Sequence, residues 1–336
     1  MTTEHTVVTS RDGRVGRILL NRPYALNALD LPMLRACAAV LEIWRDDPHV
    51  HAVVIEGAGH RAFCAGGDIR ALRDAQLSGQ RALADQFFSE EYALNLTIAS
   101  YPKPYIALID GLCMGGGIGL SVHGPYRVAS EHAAFAMPET AIGFFPDIGA
   151  TFLLPRLPGE LGAYLGLTGL RVSGADAAHA GFATHFTPRA RLPELSAALA
   201  RDGVAALAAF DETLPAFSLG GHRAAIDHCF SAPTVFDIAE RLEADGSPWA
   251  QAAIKALRQV SPSALHWTLR ALRRGRDLTL EQALDAEFAL TQTTMAHPDF
   301  AEGVRAMVVD KDRAPVWHPA RIEDVDPVQI EALFEG

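Results

Sequence analysis

Up to about Pro188, short apolar runs alternate with segments of helical spacing; beyond it the short runs disappear. Gly16–Arg22 (GRILLNR) is such a run, ended by Pro23, and it predicts a strand. Leu34, Cys37, Leu41 and Trp44 then recur at three- and four-residue intervals, which predicts a helix. Asp30 supplies a cap for it, and Pro32 falls in the first turn, where a missing N–H costs little. Pro48 closes the helix. His51–Gly57 (HAVVIEG) is again a short apolar run bounded by glycine, and predicts a buried strand. AFCAGGDIRAL reads as a loop running into a helix.

The next stretch repeats the alternation. A helix from about Gln80 to Ser100 leads to a strand in Lys103–Gly111, then to a glycine-rich turn and helix in GLCMGGGIGLSVHG. YRVASEHAAFAMPE predicts two short strands around a turn at Glu131–His132. DIGATFLLPRL predicts a helix opened near Asp147, and Val172–Gly181 a short helix with Ser173 as its cap. Strands separated by helices imply parallel pairing and an α/β fold. After Pro188 the pattern is helical, from RLPELSAALARDG to TLEQALDAEFALTQTTM. The chain therefore divides on sequence into an α/β core, 1–188, and a helical C-terminal region, 189–336.

Composition narrows the partners. Of 336 residues 49% are apolar and 21% charged, enough for a sizeable core, and the formal net charge of -11 argues against general attraction to nucleic acid or an anionic membrane. A phosphate-bearing substrate needs a local basic patch. LRALRRGRD (Leu269–Asp277) is a basic run, for which a solvated helix face is the favoured reading. Cys37, Cys64, Cys113 and Cys229 form no CxxC pair and read as buried small residues in a reducing compartment. No run approaches 18 apolar residues, and the start shows neither a signal core nor an Arg-rich amphipathic helix; a cytoplasmic location is the expectation. No HExxH motif or Cys/His cluster suggests a metal. Ser121 lies near His123 but without the GxSxG elbow of a serine hydrolase.

The candidate chemistry lies in three segments. In AFCAGGD, two glycines before Asp68 let the backbone approach a ligand and present N–H groups to an oxyanion; a tight turn with a capping aspartate is the favoured reading of this segment alone. GLCMGGGIG (Gly111–Gly119) fails as a dinucleotide fingerprint, because the last position is Leu120, and as a P-loop, because no Gly-Lys-Ser/Thr follows. Two glycine-rich strand ends together are what an acyl-transfer or enolate site requires. MPETAIGFFPD (Met137–Asp147) then sets Glu139 and Asp147 in an otherwise apolar run. Apolar surroundings raise a carboxyl pKa and suit Glu139 to acid–base or nucleophilic work. Asp147 also fits a first-turn residue of the following helix.

At these residues the sequence resembles the crotonase superfamily, the enoyl-CoA hydratase/isomerase fold, and within it the 3-hydroxyisobutyryl-CoA hydrolase branch. The likeness runs through NRPYALNALDLPML, FAMPETAIGFFPDIGATFLLPRL, GADAAHAGFATHF, SPSALHWTLRALRRG and FAEGVRAMVVDKDRAPVWHPA. It implies a spiral of ββα units followed by helices placed to cover the acyl site. It implies that the N–H groups of Gly67 and Gly116 hold a thioester oxygen, that Glu139 and Asp147 are the catalytic carboxylates, and that Glu91 binds substrate. Ala65, Gly66, Asp68 and Ile69 are implied to line bound coenzyme A. The hydratases carry another catalytic glutamate two residues after the third glycine of GGG; here that residue is Gly119. GATF after Asp147 departs from a more glycine-rich segment, and SPSAL has serine in place of threonine.

The resemblance thus implies hydrolysis of 3-hydroxyisobutyryl-CoA in valine catabolism, with coenzyme A as part of the substrate and no separate cofactor. A hydratase or isomerase, and a CoA-binding protein without turnover, are the alternatives. Such relatives often form homo-oligomers.

Overall fold

A computed structural model of the chain describes residues 5–334. Its first strands are β1 (Val7–Asp12), β2 (Val15–Leu20), β3 (Ala52–Gly57), β4 (Ala62–Cys64) and β5 (Tyr105–Ile109). They are followed by β6 (Leu112–Met114), β7 (Tyr126–Ala129), β8 (Ala134–Ala136), β9 (Val172–Ser173) and β10 (His185–Phe186). One sheet has the order β1-β2-β3-β5-β7-β10, the other β4-β6-β8-β9. From β2 onward the larger sheet is parallel, with Val15 opposite Ala52, Val53 opposite Tyr105 and Ile106 opposite Tyr126. This is the expected α/β arrangement.

Two features differ from expectation. β1 forms an antiparallel hairpin with β2, and AFC, read as loop, is a strand. β1 is largely exposed and polar, so it carries no alternating signal. β4 has only three residues, too few to show a period.

The described residues pack as two compact units. The first takes the chain up to Asp68, Ser89–Phe135 and Val172–Ser218; the second takes Ile69–Phe88, Ala136–Arg171 and the chain from Leu219. Among the described residues no strand follows Phe186, yet the helices Leu192–Asp202 and Leu207–Phe210 still belong to the first unit. They do so because Leu195, Leu199 and Phe210 cover one face of the larger sheet, against Val54, Ile106 and Val128.

In the first unit the helix Leu31–Asp46 begins as its sequence implies: the Asp30 carboxylate accepts from Met33 N at 2.9 Å. Its Cys37, Leu41 and Trp44 are buried. Ser173 likewise caps the helix Gly174–Ala180, accepting from Asp176 N at 3.1 Å. The second unit is built from helices, the longest being Pro262–Gly275 and Leu280–Thr294.

Candidate active site

In the first unit the backbone donors arise from a stitched loop. Asn27 is buried and left-handed (φ 56°). Its side chain accepts from Arg22 N at 2.9 Å and donates to Ala58 O at 3.0 Å and Ala62 O at 2.9 Å. This fixes Leu29 beside the AGGD segment: Leu29 N donates to Gly66 O and Asp68 N to Leu29 O, both at 2.8 Å. In such a parallel bridge both bonds go to the neighbours of Gly67, so the N–H of Gly67 itself points away from Leu29.

The second donor comes from the GGG segment. Gly116 opens the helix Gly116–Val122, so its N–H has no acceptor within the helix. The two segments lie side by side. Gly66 is left-handed (φ 100°), and a Cβ built on it stands 3.2 Å from Met114 O and 3.6 Å from Gly116 N. Among the described residues neither the Gly67 nor the Gly116 amide has a protein acceptor. Two amides in this state can donate to a ligand oxygen.

Glu91, only 2% exposed, reaches the same place: its Oε1 occupies the space a Cβ on Gly116 would take. Ala65 N is spent on Leu26 O at 3.0 Å. The Asp68 carboxylate meets Arg22 at 3.2 Å, and Arg22 also faces Asp30 at 3.3 Å. The first unit therefore brings together Ala65, Gly66, Gly67, Asp68, Glu91 and Gly116. Ile69 begins the helix Ile69–Leu77 and counts with the second unit.

Glu139 and Asp147 lie in the second unit, on one segment, 7% and 6% exposed. Glu139 opens a 3-10 turn, Glu139–Ile142, and its carbonyl accepts from Phe144 N at 3.0 Å. Thr140 O accepts from Ser261 N at 3.1 Å. Phe144 packs with Phe88, Phe145 and Phe300 at ring separations of 5.6, 4.6 and 5.8 Å. The segment's backbone is thus tied at both a polar and an aromatic contact, and its two carboxylates sit on fixed chain.

The reading of Asp147 as a helix residue needs correction. The helix is Ala150–Leu153, its N-cap is Gly149, and no side chain caps it. Asp147 stands before it, in a turn closed by Ala150 N donating to Asp147 O at 2.9 Å. Both central residues are left-handed, Ile148 at φ 58° and Gly149 at φ 80°. A β-branched residue there costs on the order of 1–3 kcal/mol, so the surroundings must hold the turn. Pro155 ends the helical signal early, because it has no N–H to continue it.

Among the buried carboxyls that escaped sequence reasoning, one lies against the turn that carries Asp147. Glu287, on the helix Leu280–Thr294, accepts from Gly149 N at 2.7 Å, Thr151 N at 2.9 Å and Thr151 Oγ1 at 2.6 Å. Burial pushes it up to about 8, the charge of Asp147 acts in the same direction, and the three hydrogen bonds oppose both. A signal existed: Ala283, Leu284, Glu287, Leu290 and Thr291 share the helix's buried face.

The other singled-out segments are structural. In the basic run, Arg270 pairs with Glu331 at 2.9 Å, Arg276 with Glu160 at 2.7 Å, and Arg274 donates to Phe334 O at 2.9 Å; it is bonded within its unit rather than simply solvated. In EGVRA…DKDR, Arg305 gathers Glu302 and Asp310 at 2.8 Å and Asp312 at 2.6 Å, which shapes the loop. Ser121 donates back to Gly117 O at 3.1 Å and Ile118 O at 3.0 Å. The four cysteines are buried and unbridged, and burial pushes the Cys37 and Cys113 thiols up to about 12. Among the described residues no group of three or more His, Cys, Asp or Glu side chains is placed for a metal ion, and no helix is long and apolar enough to cross a membrane.

Known proteins share this chain's sequence pattern and fold. The family model for enoyl-CoA hydratase/isomerase matches residues 15–334. A mitochondrial 3-hydroxyisobutyryl-CoA hydrolase of Xenopus tropicalis is 46% identical, over 99% of this chain and 90% of its own. That of Rattus norvegicus is 47% identical, over 98% and 89%. A solved structure of a carnitinyl-CoA dehydratase from Mycobacterium thermoresistibile superposes with a TM-score of 0.95 at 41% identity, over 99% of this chain and 97% of that one. The cytoplasmic expectation is contradicted by the Xenopus and Rattus hydrolases, which are mitochondrial. Buried free cysteines and the lack of a spanning helix do not separate the two compartments. The fold, the full-length match and the identities together place this chain in the enoyl-CoA hydratase/isomerase family.

Proposed function

We propose that this protein is an acyl-CoA thioester hydrolase whose substrate is 3-hydroxyisobutyryl-CoA. The observation that carries the reading is the pair of adjacent amides, Gly67 N–H and Gly116 N–H, with no protein acceptor among the described residues. They suit a carbonyl oxygen that gains negative charge, and loss of one such donor costs about 2.7–4 kcal/mol in the transition state. Full-length likeness to 3-hydroxyisobutyryl-CoA hydrolases supports the acyl group.

In this reading the thioester oxygen rests on the two amides. Glu139 either attacks the carbonyl carbon, giving a mixed anhydride that water resolves, or takes a proton from the attacking water. The C–S bond breaks, the CoA thiolate leaves and gains a proton, and the acid is released. Asp147 orients the substrate hydroxyl or the water. Glu91, Ala65, Gly66, Asp68 and Ile69 line the substrate, and no separate cofactor takes part.

The carnitinyl-CoA dehydratase likeness favours a second reading, water addition or removal at a double bond. Gly119 counts against it, because a two-glutamate hydratase carries a carboxylate there. One assay separates them: free-thiol release from 3-hydroxyisobutyryl-CoA beside loss of enoyl absorbance from crotonyl-CoA. Thiol release is the expected result. Enoyl loss without thiol release overturns the hydrolase reading, and binding without either reaction points to a CoA-binding protein.

A further inference from the structure

We propose that Glu287 is a positioning residue for Asp147: it holds, from a separate helix, the strained turn on which Asp147 is carried. The proposal rests on the reading of Asp147 as part of the catalytic machinery.

The turn Asp147–Ala150 has two left-handed residues in succession, and one of them is Ile148. The helix that follows leaves its first N–H groups without intrahelical acceptors. An ordinary N-cap side chain would serve them locally, but the N-cap is Gly149, which has none. Glu287 does that work instead, taking Gly149 N on Oε2 and both Thr151 N and Thr151 Oγ1 on Oε1. A serine or asparagine at the N-cap would satisfy the helix without burying a carboxyl. The chain buries one on a separate helix instead.

Charged groups bear on Glu287 from neighbouring elements. Asp147 acts on it through space from the turn. Arg274, from the helix Pro262–Gly275, lines the same small cavity and donates to Phe334 O. On its own helix Asp285 is exposed. Glu287 thus joins the turn to the helix Leu280–Thr294 through hydrogen bonds that a glutamine can reproduce only in part, since its NH2 group cannot accept.

The test is a double-mutant cycle on thioester hydrolysis with 3-hydroxyisobutyryl-CoA. Glu287→Gln, folded by circular dichroism, is expected to lose about 10- to 100-fold in kcat with KM within about twofold, the signature of misplacement rather than lost binding. In an Asp147→Asn background the same substitution is expected to change kcat by less than about threefold, because the group it positions is already gone. Thr151→Val removes only the hydroxyl contact and serves if Glu287→Gln does not fold; it is expected to show the same split, smaller in size and again suppressed by Asp147→Asn. Wild-type kcat in Glu287→Gln, or in a folded Thr151→Val where Gln does not fold, overturns the positioning role and leaves Asp147 standing. Losses that multiply in the double variant overturn it too, since they mark a general structural defect. Wild-type kcat in Asp147→Asn overturns the catalytic reading of Asp147 itself, and the proposal falls with it.

Discussion

Gly116→Ala tests the amide pair at a tightly packed point of the structure. A Cβ there overlaps the Glu91 carboxylate and stands 3.2 Å from Leu29 Cδ1. Glu91 is 2% exposed and Leu29 fully buried, so neither has open solvent to move into. Alanine in place of glycine gains about 0.5–1 kcal/mol of helix preference. Forcing a methyl into a packed site costs about 1–3 kcal/mol. Net destabilisation is therefore at most about 2.5 kcal/mol, and the protein stays folded. Catalysis is hit harder. If the helix end shifts enough to misdirect the Gly116 N–H, the transition state loses about 2.7–4 kcal/mol, a 100- to 1000-fold fall in kcat. The assay is thiol release at saturating substrate, with a thermal melt of the same sample. A folded Gly116→Ala protein with kcat within about threefold of wild type refutes the idea that this amide holds the reacting oxygen.

Other perturbations read other parts of the account. Asn27→Ala strands Arg22 N, Ala58 O and Ala62 O beside a buried side chain, and is expected to cost about 2–4 kcal/mol in urea unfolding; an unchanged midpoint contradicts the stitching role. Glu287 binds its proton more tightly in the folded state, so stability is expected to fall as pH rises from about 4.5 to about 8, and Glu287→Gln to flatten that slope in melts. A slope of the opposite sign contradicts the buried, raised carboxyl.

Much of the fold was legible because its signals are local. The helix Leu31–Asp46 announced itself through Asp30, Pro32 and a regular buried face, and β3 and β5 through apolar runs bounded by glycine. What escaped depends on distant partners. β1 is exposed and polar, and exists as a strand because β2 pairs with it. Asp147 looked like part of a helix start, but the left-handed Ile148 and Gly149 delay the helix to Ala150. Such a turn is not encoded in the preferences of isoleucine; Glu287, 138 positions from Gly149 along the chain, satisfies its N–H groups. The glycine segments were readable as donors because glycine is needed where Gly66 turns left-handed and where Glu91 crowds Gly116. Which amides lack acceptors, however, follows from the Leu29 bridge to Gly67, a pairing that spacing alone does not reveal.

The central claim is that Glu139 carries out the hydrolysis. Steady-state thiol release from 3-hydroxyisobutyryl-CoA, measured for wild type and Glu139→Gln at matched folded concentration, tests it most directly. The account predicts steady release by wild type and a loss of at least about 100-fold in kcat for the variant, the scale of a lost general base or nucleophile. Equal release by the two folded proteins would contradict it.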